Sequence, residues 1–286
     1  MLQSTPQRSR ARTHARTYRT GTLSSYSLAV EQVIQTMRAQ VSEPLSLEEM
    51  AEIACLSPFH FHRMFRSITG IPPGEFLAAL RLEAAKRLLL TTSLSVTDVC
   101  FDLGYTSLGT FTSRFKQLTG FAPLQLRHVA DELADTAAEP LFAAHREARR
   151  LTLVHDGGVS GTITAPGPFA GVIFAGLFPT PMPRGRPVAC MTLTAPGGFQ
   201  LGPVPDGQYY LLAAAVPWSP CALAYLLPDR GSLIGVAEQP VLVRGDRAIA
   251  PVNLALRPRG VADPPILGVF PPLQVTSAAA RARAAL

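Results

Sequence analysis

One stretch occurs twice in this chain, about fifty residues apart, and the repeat limits what the sequence can fold into. SLEEMAEIACLSPFHFHRMFRSITGIPPGEFLAALR begins at Ser46, and SVTDVCFDLGYTSLGTFTSRFKQLTGFAPLQLR runs from Ser95 to Arg127. Ser46 aligns with Ser95, Ala51 with Cys100 and Ala54 with Leu103 at an offset of 49. Phe61 aligns with Phe111, Phe65 with Phe115, Arg66 with Lys116, Thr69 with Thr119, Gly70 with Gly120 and Pro73 with Pro123 at 50, so one residue is inserted in the second turn region. Each copy opens on a Ser-x-x-acid signature, Ser46 with Glu49 and Ser95 with Asp98. In that signature the hydroxyl caps the third amide of a helix and the acid reaches back.

A short helix follows in each copy, with Leu47, Met50, Ala51 and Ala54 on one stripe and Val96, Val99, Cys100 and Leu103 on the other. The turns Cys55-Leu56-Ser57 and Gly104-Tyr105-Thr106 come next. Ser57 before Pro58 is a second helix start, with serine as cap and proline at the first helical position. This helix is expected to bury Phe61, Met64/Phe65 and Ile68 and to turn Phe59, His60, His62, Arg63 and Arg66 outward. Its copy buries Phe111, Phe115 and Leu118 and exposes Leu108, Gly109, Thr110, Thr112, Ser113, Arg114 and Lys116. Gly70 and Gly120 stand where a helix end wants a left-handed residue. Between the copies, Gly74 to Leu90 reads as a linking helix that holds the two units at a fixed separation, with Phe76, Leu77, Leu80, Ala84 and Leu88 inside and Arg81, Lys86 and Arg87 outside.

Duplicated short helices with basic residues beside aromatic ones imply two DNA-reading helix-turn-helix units. The charge distribution agrees. Residues 57–128 hold 8 basic and 4 acidic residues, whereas 21–56 hold one Arg against five Glu, so the positive charge is local to the second helix of each unit. His60 and His62 lie two apart on a helix and do not share a face, so they make no metal pair.

The span from about Leu45 to Arg127 resembles the AraC/XylS family of bacterial transcription regulators. The likeness is carried by LEEMA-x6-PFHFHRMFR-x3-G, by the linker RLEAAKRLLLTT, and by DVCFDLGYTSLGTFTSRFK followed by TGFAPLQLR. It implies two recognition helices in successive major grooves of double-stranded DNA, about one helical turn apart. It also implies RNA polymerase as a further partner. Carried over position by position, the base-facing residues would be Phe59, His62 and Arg63 in the first unit and Leu108, Gly109, Thr110, Thr112 and Ser113 in the second. Ser57, Arg66, Thr106, Ser107, Arg114 and Lys116 would face phosphates. The sequence departs from the common pattern in the second unit, where serine and arginine stand one place earlier relative to the following phenylalanine. Ser113 takes the usual arginine site, so this unit is expected mainly to grip phosphates through Arg114 and Lys116.

Outside this span the chain carries less chemistry. Residues 1–22, with Arg8, Arg10, Arg12, Arg16 and Arg19, read as a disordered basic arm, either a solvated tail or a phosphate-tracking one. Val30, Val33, Ile34, Met37 and Val41 predict an amphipathic helix from Ser27 that braces the first unit and ends by Pro44. Residues 129–150 read as a helical tether broken near Pro140, with Arg146, Arg149 and Arg150 solvated or touching DNA. No apolar run reaches the roughly 18 residues of a membrane helix, and no apolar stretch follows the N-terminal arginines as a secretory signal would require. Cys55, Cys100, Cys190 and Cys221 show no metal-like spacing, which favours reduced thiols; Cys190 and Cys221 either pair or stay as buried thiols.

From residue 151 the composition shifts to Gly, Pro, Val and Leu. Candidate strands are Leu151–His155, Val159–Ala165, Gly171–Phe178, Val188–Thr194, Gly198–Gly202, Tyr209–Val216, Ala222–Leu227, Leu233–Val236 and Ala250–Leu256. Short strands between Pro/Gly turns predict an antiparallel β-sandwich over 151–258. GGFQLGPVPDGQYYLLAAAV, with GGVSGTITAPGPFAGVIFAGLF before it and VNLALRP after it, resembles the carboxypeptidase-regulatory or transthyretin-like β-sandwich. Asp206 reads as a turn former. Trp218, Tyr209, Tyr210, Tyr225 and Phe178 line a small-molecule pocket, line an oligomer surface or fill the core. Residues 259–286 read as an extended tail in which Leu267, Val269 and Phe270 add an edge strand.

The expectation is therefore a multidomain chain, α then β. A basic arm at 1–22 precedes an all-α double helix-turn-helix domain at 23–128, a helical linker at 129–150, an antiparallel β-sandwich at 151–258 and a tail at 259–286. The expected function is a cytoplasmic, sequence-specific transcription regulator whose β-domain senses an unidentified effector or forms a homodimer. No catalytic constellation, cofactor or metal site is expected, and the chain is read as no enzyme. The alternatives are an architectural protein whose β-domain binds another protein, and an adaptor that delivers an enzymatic domain to DNA.

Overall fold

The computed structural model describes residues 25–144, 157–183, 185–228, 231–268, 270 and 273. The N-terminal arginines, Arg146, Arg149, Arg150, the strand expected at Leu151–His155 and Val269 lie outside these residues. The chain divides into two compact units: residues up to Ala78 with Val261–Asp263, and the remainder from Ala79.

In the first unit, α1 (residues 25–39) buries Val30, Val33, Ile34 and Met37 completely, as their helical spacing requires. α2 (Leu47–Ile53) starts on the expected capping box. The Ser46 hydroxyl accepts from the Glu49 amide at 3.2 Å, and the Ser46 amide donates to the Glu49 carboxylate at 2.7 Å. The Ser46 amide, together with the Ser46 hydroxyl donating to the same carboxylate at 2.8 Å, stabilises its charged form and holds the Glu49 pKa below its ordinary value. α3 (Pro58–Thr69) follows with Pro58 in its first turn and ends at Gly70, whose φ of 79° is the left-handed conformation an L side chain resists. α4 (Pro73–Thr91) begins in this unit, where Phe65 meets Phe76 edge-on at 5.5 Å.

The second unit opens on the rest of α4 and repeats the scheme. α5 (Val96–Asp102) has its own capping box from Ser95 and Asp98, α6 (Leu108–Thr119) ends at Gly120 with φ 86°, and α7 (Pro123–Ala134) starts on proline like α4. The repeat extends to a buried hydroxyl. Thr69 donates to the Phe65 carbonyl at 2.9 Å and accepts from the Ile71 amide at 3.3 Å; Thr119 does the same with Phe115 at 2.8 Å and Phe121 at 3.2 Å. Each buried threonine thereby satisfies its polar atom and closes the turn behind a recognition helix.

α4 is not the half-exposed rod the sequence suggests. Leu82, Ala85 and Leu89 are buried, and so is Lys86, which the spacing placed outside. The reason is a contact that only the fold reveals: the C-terminal segment crosses α4, the Lys86 ammonium donates to the Leu267 carbonyl at 3.1 Å, and Arg259 pairs with Glu83 at 3.3 Å. Leu267, Phe270 and Leu273 of this segment are buried, and the edge strand expected at Leu267–Phe270 does not form at Leu267 or Phe270. Arg127 of α7 clamps the other end of the helix, donating to the carbonyls of Leu89 at 3.2 Å and Leu94 at 2.7 Å. A cation there meets both the orphan carbonyls and the negative end of the helix dipole.

Residues 129–144 are packed rather than a loose tether. Val129 and Leu133 of α7 and Ala138 and Phe142 of α8 (residues 138–144) are all buried. The helical break falls at Asp135–Ala137, not near Pro140, because Pro140 occupies the first turn of α8, where a missing amide leaves nothing unpaired. The Ala138 amide donates to the Pro220 carbonyl and the Ala222 amide to the Thr136 carbonyl, tying this break to the β-region.

The β-region has ten strands among the described residues: β1 (Val159–Thr164), β2 (Gly171–Phe178), β3 (Ala189–Leu193), β4 (Gly197–Leu201), β5 (Gly207–Pro217), β6 (Leu233–Val236), β7 (Val241–Arg244), β8 (Arg247–Ala248), β9 (Val252–Ala255) and β10 (Arg257–Pro258). One sheet has the order β4-β1-β9, the other β10-β6-β5-β2-β3, with the β7–β8 hairpin paired to β5. Most pairings are antiparallel, but β1 and β9 run parallel, and a side chain at Gly161 would strike the Val252 carbonyl across that pair. Ile163, Ile173, Leu177, Phe199, Leu201, Tyr209, Leu211 and Leu254, drawn from both sheets, form one hydrophobic core. Tyr209 is therefore core, and its hydroxyl donates to the Pro205 carbonyl at 3.0 Å, bracing the Pro-Asp-Gly turn.

Two differences from the expected strands have local causes. Ala222–Leu226 is a 3-10 helix, because its ends are held against Thr136 and the aromatic rings beneath it rather than by a strand neighbour. The unexpected β7–β8 hairpin turns on Gly245 and Asp246, both at positive φ (57° and 60°), the geometry of a two-residue hairpin loop. Asp206 accepts from the Asp246 amide at 3.4 Å, so the expected turn former also steadies this second turn.

Burial lowers the Lys86 pKa from 10.5 to about 8, opposed by the Glu83 charge. Above about pH 10.5 the amine is neutral in both folded and unfolded chains; below about 8 it is charged in both, and the folded chain carries the full desolvation penalty. Stability is expected to rise between pH 8 and 10.5 by about 3 kcal/mol from this group. Lys86→Met should flatten that rise and add about 1–2 kcal/mol at pH 7, read by denaturant unfolding at several pH values. By the same measurement Arg127→Ala should cost about 1–3 kcal/mol, since it orphans the carbonyls at the end of α4.

Candidate nucleic-acid interface

Both recognition helices are set by the same device. Phe61 and Phe65 on α3, and Phe111 and Phe115 on α6, are fully buried one turn apart, with ring centroids at 5.5 Å and 5.7 Å. The helical period then fixes what the opposite face presents. On α3 that face carries Phe59, His62, Arg63 and Arg66, at spacings of three and four. Arg63 and Arg66 are exposed, His62 is half-buried, and Phe59 is 81% exposed, an unusual place for a phenyl ring.

The offset of 50 maps these four onto Gly109, Thr112, Ser113 and Lys116 of α6. Leu108, Gly109, Thr110, Ser113 and Lys116 are exposed and Thr112 is half-buried. The two faces have the same geometry within their own helices but different reach. The first offers an aromatic ring, an imidazole and two guanidiniums; the second offers short hydroxyls and one ammonium. Arg114 corresponds to Met64 and so lies on the flank of its helix, not on the face with Ser113 and Lys116. Its charge, with that of Arg81, acts on the Tyr105 hydroxyl, whose pKa burial raises and these cations partly restore.

The helix starts differ as well. Ser107 accepts from the Thr110 amide at 3.4 Å, whereas Ser57 makes no side-chain cap bond. Ser57, Thr106 and Ser107 are all exposed at the recognition-helix starts. Between the paired helices, Cys55 adopts φ 53° where the second copy has Gly104 at φ 73°. The turn imposes a left-handed residue in both copies, and the first accepts the cost of a side chain there.

His60, expected to face outward, is half-buried with its ring 5.3 Å from that of Tyr26 on α1, so it belongs to the brace and not to the exposed face. Arg127 and Lys86, both basic and within the motif span, are occupied by carbonyls, as described above. No signal in the local spacing marks Lys86; Arg127 could have been suspected from its place one turn into a proline-started helix. Among the described residues no cluster of three or more His, Cys, Asp or Glu could hold a metal ion, and no helix is long and apolar enough to cross a membrane. All four cysteines are free thiols.

Residues 50–128 match the family model of a helix-turn-helix domain. The chain is 32% identical over 101 residues to the bifunctional transcriptional activator/DNA repair enzyme AdaA of Bacillus subtilis, covering 35% of this chain and 48% of AdaA. It is 30% identical over 116 residues to the HTH-type transcriptional activator AarP of Providencia stuartii, covering 41% of this chain and 82% of AarP. The regulatory protein SoxS of Salmonella typhimurium is 30% identical over 104 residues, which is 36% of this chain and 97% of SoxS. The match thus spans about half of AdaA but most of AarP and SoxS. With two helix-turn-helix units in order and relatives matched over most of their length, this chain belongs to the AraC family of helix-turn-helix transcription regulators.

Proposed function

We propose that the protein binds double-stranded DNA and regulates transcription by reading bases mainly through α3 and gripping the backbone mainly through α6. The observation that carries this reading is the contrast between two equivalent faces, Phe59-His62-Arg63-Arg66 and Gly109-Thr112-Ser113-Lys116. An arginine at the centre of a recognition face can donate two hydrogen bonds to the major-groove edge of a guanine. A histidine one position away adds a further contact, and an exposed phenyl ring suits a thymine methyl. Leu108, Gly109, Thr110, Thr112 and Ser113 have less reach and allow close approach with fewer discriminating bonds. Ser57, Thr106 and Ser107 at the helix starts, Arg114 on a flank, and Arg66 and Lys116 in the last turns would meet phosphates through hydroxyls and cations. Ser57 is suited to that role because its hydroxyl is not used as a cap.

In this reading the protein works in the cytoplasm and engages RNA polymerase once bound. The names of AarP, a transcriptional activator, and AdaA, partly one, support that direction. The β-region would be a transthyretin-like sandwich, a view supported by residues of both sheets sharing one core. Its role would be to sense a small molecule or to form a homodimer, biasing when α3 and α6 engage.

Arg63→Ala should cost about 1–3 kcal/mol on a specific site and relax preference at one or two base pairs. Lys116→Ala should weaken binding evenly across sequences and reduce the salt dependence by about one phosphate contact. Fluorescence anisotropy on base-substituted duplexes at several salt concentrations checks both. A sequence-neutral loss for Arg63→Ala would remove α3 as the base reader.

A further inference from the structure

The loop between β2 and β3, residues 179–188, carries a basic pattern that the recognition helices do not use. It reads PTPMPRGRPV, with prolines at 179, 181, 183 and 187 and an Arg-Gly-Arg run between the last two. Each proline fixes a φ angle and biases the residue before it, Arg186 included, toward extended backbone, so the loop has little freedom to lose on binding. The sheet holds it: the Val188 amide donates to the Leu177 carbonyl at 2.8 Å, and Met182 is buried. Pro187 lies over Gly176 of β2, where a side-chain carbon would come within 3.0 Å of the proline ring. Gly185, at φ 64°, lies against the last turn of α6; a first side-chain carbon there would stand 3.5 Å from the Gln117 carbonyl oxygen. Gln117 follows Arg114 by three positions and shares its flank of the helix. Arg186 is exposed, and no hydrogen bond or ion pair to another described residue occupies it. Arg184 lies outside the described residues.

We propose that this loop is a further DNA contact, in which Arg186 enters the minor groove next to the major groove held by α6 and favours A·T over G·C pairs there. The inference rests on the reading of α6 as the helix that grips the backbone. A recognition helix puts its first turns on base edges, so its last turn faces the phosphate backbone that walls the groove. The minor groove opens on the other side of that wall. It is about 6 Å wide against about 12 Å for the major groove, which excludes a helix and admits an extended chain. A proline-stiffened loop has that shape, and Gly185 has no side chain to hold its backbone off the groove walls. The base preference follows from two properties of the groove. Narrow A/T tracts concentrate negative potential, which attracts a guanidinium, and a guanidinium sheds water more readily than an ammonium. G·C pairs also project the guanine 2-amino donor into the groove, and an arginine, with donors only, gains nothing from it. The β-region thereby supplies base preference beside the unit whose own helix face has the shorter reach.

The test is fluorescence anisotropy of the full chain with three alternating duplexes of equal length, built from A·T, I·C or G·C pairs. Inosine lacks the 2-amino group, so I·C joins the minor-groove pattern of A·T to the major-groove edge of G·C. At one salt concentration the wild-type chain is expected to bind A·T and I·C about fivefold or more tightly than G·C. Arg186→Ala should bind all three alike. Arg186→Lys keeps the charge, and should hold the wild-type affinity for G·C while losing most of the preference for I·C. Wild-type protein that binds I·C no more tightly than G·C would overturn the proposal. So would Arg186→Ala protein that keeps the I·C preference, including one weakened equally on all three duplexes, which marks a phosphate contact alone. Lys116→Ala reads the role of α6 separately: it should weaken all three evenly and leave the preference intact. No loss from Lys116→Ala beside an intact preference would remove α6 as the holder and leave the loop contact standing.

Discussion

A pair of buried phenylalanines one turn apart holds each recognition helix, and the rest of the interface depends on that placement. Burying a phenyl ring contributes about 1.5–3 kcal/mol relative to leaving it in water, so two such rings strongly disfavour rotation of a helix about its axis. Phe61 and Phe65 in the first unit, and Phe111 and Phe115 in the second, thereby decide which residues face outward. The same rotational setting has been filled with two different surfaces. Arg63 and His62 stand where Ser113 and Thr112 stand in the copy, so duplication preserved the frame while the recognition chemistry diverged.

A second constraint shapes the β-region. β2 is buried on both faces: Ile173, Ala175 and Leu177 enter the core shared by the two sheets, and Val172 and Phe174 point the other way. A sheet with an apolar outer face needs a cover. Here α8, the 3-10 helix and the C-terminal segment supply it through Phe142, Tyr225 and Phe270. The helices that follow the second recognition helix are thus part of the packing of the sheet, and a segment expected to be a tether has a structural task.

What could be read from the sequence was what obeys short-range rules. Both capping boxes, the proline starts, the glycine ends and the phenylalanine stripes are decided within a few residues, and they stand where the spacing places them. β2 was equally plain as an uninterrupted apolar run. Lys86 was not, because its burial is imposed by Leu267, far along the chain, and helical period alone puts a lysine outside. Ala222–Leu226 has the composition of a strand, and only its contacts with Thr136 and Phe142 make it helical. The β7–β8 hairpin has a local signal, Gly245-Asp246 between Val241/Val243 and Arg247, at the two positions that take positive φ. For the interface, the period gives the outward face but wrongly includes His60, which Tyr26 recruits from a separate helix.

The central claim is an unequal division of labour: α3 reads and α6 holds. Selection of bound duplexes from a random library, followed by sequencing, tests it most directly. The account predicts an enriched motif with one strongly constrained cluster of base pairs and one weakly constrained cluster, the strong cluster losing definition when Arg63 is replaced by alanine. A motif with two equally sharp clusters, or one whose sharp cluster is untouched by that replacement, would contradict it.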